Sequence, residues 1–145
     1  MQRSMSIMLV DDEERFLMTT GKLISRMGYA VVTAAGGAEA LDKLRTHEVH
    51  VVILDVKMPG MDGLSALKEI KLRYPMVEVI MLTGHATMES AIEGLKSGAS
   101  DYLMKPTDIP ELIRKAEAAY QRRQELENRI RGARMRRHGG SPKDE

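Results

Sequence analysis

The sequence predicts an α/β fold: a flavodoxin-like (βα)5 doubly wound parallel sheet with strand order 2-1-3-4-5. Three observations predict it. Short unbroken apolar runs alternate with longer segments of helical period. The runs lack polar alternation, as strands covered on both faces do. Charged residues stand directly after three of them: Asp11-Asp12 after SIMLV, Asp55 after VVIL and Lys105 after DYLM. Beyond the carboxyl ends of such strands, residues distant in sequence converge on one site.

The strand candidates, in order, are residues 7–10, 30–33, 51–54, 79–82 and 101–103, rich in Val, Ile and Leu. Phe16, Met18, Leu23, Ile24 and Met27 give the first helix an apolar stripe that Gly28 ends. Ala38, Leu41 and Leu44 do the same for the second. Leu64, Leu67, Ile70 and Leu72 mark the third, closed by Tyr74-Pro75, and Ala91, Ile92 and Leu95 mark the fourth, closed by Gly98. Pro59-Gly60 and Asp62-Gly63 read as a turn and the start of the third helix. In the fifth, a stripe runs through Ile109, Leu112, Ala116, Ala119, Arg123, Leu126, Ile130 and Ala133 in alternating three- and four-residue steps. It reads either as a seam for a homodimer through the last helix or as one face of a single surface helix that frays near Gly132.

The length, 145 residues, and an apolar content of 43% suit one core with a short appendage. The expected division is a domain over 5–120, a basic helical extension over 121–137 and a disordered tail over 138–145. Net charge is +1, but residues 121–145 hold eight Lys/Arg against four Asp/Glu, leaving the body at −3. A solvated basic helix accounts for that tail, so no nucleic-acid partner is expected of this domain alone. Without Cys there is no disulfide, thiolate or Cys-based zinc chemistry. Nowhere do about 18 apolar residues run together, so the expectation is a cytoplasmic protein with no membrane partner.

The convergent residues define a chemistry. Asp11, Asp12 and Asp55 crowded together repel one another and lose hydration, a costly arrangement unless a cation is present. Oxygen ligands without Cys or His favour Mg²⁺. The Lys105 ammonium suits a phosphoryl oxygen or pairing with Asp55, and Pro106 fixes the backbone after it. Thr83, followed by Gly84, offers a hydroxyl to the same place. A carboxylate nucleophile, a divalent metal, a Lys clamp and a hydroxyl donor together describe an aspartyl-phosphate site.

With VDDEE, LDVKMPGMDGL, MLTGHA and GASDYLMKP in this order, the chain from about residue 6 to 120 resembles the receiver domain of two-component response regulators. The resemblance implies that Asp55 accepts a phosphoryl group from a sensor histidine kinase or a histidine phosphotransfer protein. It implies that Asp12 and Asp55 ligate Mg²⁺ with the backbone carbonyl of Lys57, that Asp11 helps hold the ion through water, and that Lys105 neutralises the phosphoryl oxygens. Thr83 and Tyr102 are the switch pair: Thr83 is drawn toward the phosphoryl group and Tyr102 turns inward, reshaping the face of the fourth helix, fifth strand and fifth helix. Lys57 and His85 correspond to places bordering the incoming phosphodonor, and Lys57 is expected to alter dephosphorylation. The expected role is a signalling switch and not an enzyme. It acts either as a stand-alone receiver or as the N-terminal piece of a longer DNA-binding transcriptional regulator, with the downstream effector unnamed. A phosphatase of the haloacid dehalogenase type needs a second Asp where Lys57 stands, and flavin binding needs a phosphate loop that the first strand lacks.

Overall fold

The computed structural model describes residues 5–56, 62–84 and 88–139. Its order is β1 (Ser6–Val10), α1 (Glu14–Arg26), β2 (Ala30–Ala34), α2 (Gly37–Leu44), β3 (Val51–Leu54), α3 (Gly63–Arg73), β4 (Glu78–Thr83), α4 (Met88–Lys96), β5 (Asp101–Met104) and α5 (Ile109–Gly139). The five strands pair in parallel in the order β2-β1-β3-β4-β5, as the sequence predicts. β1 and β3 are neighbours, with Val10 opposite Leu54. Their next residues, Asp11 and Asp55, are therefore side by side.

The sheet splits the core into two layers because alternate residues of each strand face opposite ways. Met8, Val10, Val52, Leu54, Val79 and Met81 pack with Ala40, Leu41, Leu44, Leu67 and Ile70 of α2 and α3. Ile7, Leu9, Val51, Ile53, Ile80 and Leu82 pack with Leu17 and Ile24 of α1 and with Leu112, Ile113 and Ala116 of α5. β1 and β3 are buried throughout, whereas β2 and β5 are partly open. The expectation of strands covered on both faces thus fails at the two edges, where each strand has one neighbour.

The helices do end where the sequence places their stops. Gly28 and Gly98 adopt φ of 102° and 110°, a region that disfavours side chains with a Cβ. α3 stops before Tyr74, and its N-cap Asp62 accepts a hydrogen bond from the Ser65 amide at 2.9 Å.

The buried faces of the helices are narrower than their apolar stripes. In α1 the residues against the sheet are Leu17, Thr20, Gly21 and Ile24, while Met18, Leu23 and Met27 are exposed. Ala38, Leu72, Ile92 and Leu95 also face outward, contrary to the stripes assigned to α2, α3 and α4. Small residues explain the shift, since they let a helix approach the sheet closely and an apolarity count passes over them. Gly94 of α4 shows this well: a Cβ there would stand 2.1 Å from Cε of Met81.

α5 uses the first half of its stripe internally. Leu112, Ala116 and Ala119 are buried against the domain, and Arg123 pairs with Glu78 at 2.7 Å. Only later do Leu126 and Ile130 turn outward. The helix runs past Gly132 to Gly139. Residues 140–145 lie outside the described residues, as do Lys57, Pro59, Gly60 and His85. Among the described residues, no helix is long and apolar enough to cross a membrane.

Candidate functional site

The site forms where the sheet ladder runs one residue past its strands. The Asp11 amide donates to the Ala34 carbonyl at 3.1 Å, and the Asp55 amide donates to the Val10 carbonyl at 2.9 Å. Both backbones are thereby held in strand geometry while their side chains project from the sheet edge. Asp11 and Asp55 are buried, at 1% and 7% exposure, and Asp12 is exposed. The three residues offer carboxylate oxygens that all lie within 4.8 Å of one another.

The start of α3 meets the backbone just after β3. The Gly63 amide donates to the Val56 carbonyl at 2.7 Å. A Cβ on Gly63 would stand 2.3 Å from Cα of Val56 and 2.4 Å from the Asp55 carbonyl oxygen, closer than packed atoms tolerate. This approach admits only glycine. The helix-start signal Asp62-Gly63 therefore also fixes the backbone of Asp55.

Lys105 follows β5 and brings the positive charge; its peptide bond to Pro106 is cis. Its Nζ donates to Oδ2 of Asp11 at 2.5 Å and to Oε1 of Glu13 at 3.0 Å, and it lies 4.4 Å from the centre of the Phe16 ring. Burial pushes its pKa down, but the bonds from Asp11 and Glu13 and the charges of Asp11 and Asp55 outweigh that effect and raise it. From the sequence the ammonium suits a phosphoryl oxygen or Asp55; the Asp55 charge does act on it, and Asp11 and Glu13 bond it as well.

Glu13 and Phe16 are the partners that sequence reasoning missed. Glu13 stands in the VDDEE run next to the acidic pair, and Phe16 is one turn further on. The Glu13 amide donates to Oδ1 of Asp11 at 2.9 Å, a tight turn that starts α1 and directs both carboxylates to one side. Thr83 ends β4, its backbone paired with Met104 next to Lys105. Tyr102 is not in the carboxylate group; it packs, half buried, against the core layer of α2 and α3.

Three carboxylates crowded within 4.8 Å repel one another even with the Lys105 ammonium bonded to Asp11. Their donor set suits a hard divalent cation, with oxygen ligands only and one exposed member, Asp12, to admit it. The residues present therefore fit Mg²⁺.

Known proteins agree with this geometry. The family model described as the response regulator receiver domain matches residues 7–117. The DNA-binding transcriptional regulator NtrC of Klebsiella pneumoniae is 39% identical over 131 residues, covering 88% of this chain and 28% of that protein. The transcriptional regulatory protein ZraR of Klebsiella oxytoca is 40% identical over 106 residues, covering 73% and 24%. The chain thus spans roughly a quarter of the length of these curated relatives. Among solved structures, a CheY-like receiver domain protein from Methanospirillum hungatei JF-1 superposes with a TM-score of 0.81 at 30% identity, covering 85% of this chain and 99% of that one. Receiver domains bind Mg²⁺ at an acidic cluster and act as switches served by histidine kinases or phosphotransfer proteins. This chain belongs to the response regulator receiver domain family.

Proposed function

We propose that Asp55 is the phosphoacceptor of a Mg²⁺-dependent switch. The observation that carries this reading is the convergence of Asp11, Asp12 and Asp55 within 4.8 Å, with the Lys105 ammonium seated at its side. One carboxylate oxygen of Asp55 attacks the phosphorus of a phosphohistidine on a sensor kinase or phosphotransfer protein. An O–P bond forms, the P–N bond breaks, and the imidazole departs with its electron pair. Asp11, Asp12, Asp55 and the carbonyl of Lys57 would hold Mg²⁺, which when bound offsets charge on the transferring group. Lys105 then meets the phosphoryl oxygens, and Thr83 and Tyr102 carry the change to the α4–β5–α5 face. On this reading the receiver unit is 5–120, with 121–137 a basic extension, and the protein works in the cytoplasm.

The chain also reads as the receiver piece of a longer transcriptional regulator. The relatives support this, since they are about four times as long as the matched region, and so does α5, which runs to Gly139 past the matched residue 117.

Intact-protein mass after incubation with acetyl phosphate tests the central claim. One phosphoryl adduct is expected, dependent on Mg²⁺ and lost in Asp55→Asn. An adduct that persists in Asp55→Asn would assign the chemistry to another residue.

A further inference from the structure

We infer that Glu13 is a positioning residue that retains the Lys105 ammonium on the α1 side of the site, and that phosphoryl uptake on Asp55 draws the ammonium away from it; this rests on the receiver reading above. The seat has three walls. Asp11 and Glu13 each accept a hydrogen bond from Nζ, at 2.5 and 3.0 Å, and the Phe16 ring lies under the charge at 4.4 Å. Two of these walls, Glu13 and Phe16, come from the start of α1 and have no part in holding a metal.

The seat matters because the ammonium has two claims on it. Before phosphorylation it is the cation paired with Asp11. After phosphorylation the new negative charge lies on Asp55, whose charge already acts on the amine, and the amine lowers the energy of that state most by shifting onto the phosphoryl oxygens. Whatever binds the amine better in the first state opposes the second by the same amount. Asp11 cannot set this balance alone, because it also serves the metal. Glu13 stands outside the carboxylate cluster yet bonds the same nitrogen, so its contribution falls on the resting state.

Neutralising Glu13 removes one charge-assisted bond from the resting side. Its side chain is 65% exposed, so solvent weakens the pair, and the expected gain is modest: about two- to five-fold in affinity for a phosphoryl mimic. The general field of a lost acid is a competing cause, and Glu14 controls for it. That residue is also in the first turn of α1 and flanks the hollow beside Asp12, and it has no bond to Lys105.

The experiment is equilibrium binding of beryllium fluoride in saturating Mg²⁺ to the full chain, for wild type, Glu13→Gln and Glu14→Gln, with thermal melts to establish folding. Calorimetry gives the affinity, and acetyl phosphate uptake gives the parallel rate. Expected is a two- to five-fold tightening and faster uptake in Glu13→Gln, with Glu14→Gln at the wild-type value. Equal tightening in both variants would assign the effect to the general field and overturn the inference. Unchanged or weaker binding in Glu13→Gln would overturn it too. A wild-type protein that binds no beryllium fluoride would remove the proposed phosphoacceptor role of Asp55 and this inference together.

Discussion

The two ends of one sheet treat charge in opposite ways. At the carboxyl end, Asp11, Asp12 and Asp55 crowd within 4.8 Å of one another, and the Lys105 ammonium bonds Asp11 and Glu13. At the amino end the charges are matched. Glu78 at the start of β4 accepts from Arg123 of α5 at 2.7 Å and from the Ser100 hydroxyl, and both members of the ion pair are largely covered, at 13% and 21% exposure. Nearby, His50 accepts the Ser6 amide at 2.9 Å and packs against the Tyr120 ring. A fold can close such a network with its own side chains, whereas the other end keeps three carboxylates crowded together, as the proposed metal and phosphoryl site requires. The difference separates structure from function within a single layer of strands.

The largest expected effect comes from breaking the support of the acidic end. Gly63→Ala forces a Cβ against the Asp55–Val56 backbone and should cost about 3 kcal/mol of stability while weakening Mg²⁺ binding. Denaturant unfolding with and without Mg²⁺ measures both. Undisturbed Mg²⁺ affinity in a folded variant would show that the loop accommodates the methyl elsewhere.

Breaking the matched end should cost less and leave the site alone. Arg123→Met removes the ion partner of Glu78, which keeps the Ser100 hydroxyl, and should destabilise by about 2 kcal/mol, below the range for fully buried pairs because both groups retain some solvent. Its Mg²⁺ affinity should equal that of wild type. A drop in that affinity would mean that the two ends are coupled through β4.

Adding or removing charge at the acidic end should act in opposite directions. At ten times its dissociation constant Mg²⁺ should stabilise wild type by about 1.4 kcal/mol. Without metal, Asp55→Asn should be more stable than wild type by about 1 kcal/mol, because one of three crowded carboxylates is gone. A metal-free variant less stable than wild type would show that the cluster is not strained by repulsion.

The smallest effect sharpens the picture of the matched end. Lys71 donates to the carbonyls of Pro75 and Val77 at 3.0 and 2.7 Å, and burial lowers its pKa, with Arg123 adding to the shift and Glu78 opposing it. The unfolded chain then holds this proton to higher pH than the folded one. Wild type should gain stability relative to Lys71→Met as pH rises through the lowered folded value toward the ordinary lysine range, and the gain should end above it. A pH-independent difference between the two would remove the assignment.

Much of this comparison was legible before any coordinates. The strand order follows from five apolar runs with helical crossovers, and Asp11, Asp12, Asp55 and Lys105 were marked by standing at run ends. The helix faces were harder. Counting apolar residues put Met18, Leu23 and Leu72 on buried faces, and the structure exposes all three. Thr20, Gly21 and Gly94 take sheet-facing places that an apolarity count passes over, and at Gly94 a side chain would collide with Met81. The α5 stripe was misleading in another way: a heptad-like spacing describes a surface without saying what covers it, and here the domain itself covers its first half.

Topology and the identity of the charged residues can be read from the chain, because period and chain order are local properties that constrain how strands can be joined. Which partners those charges take is settled by packing in three dimensions. Lys105 meets Glu13 and Phe16 across about 90 residues of chain, and Arg123 meets Glu78 across 45, distances at which pairing depends on how helices settle on the sheet and not on any pattern in the chain.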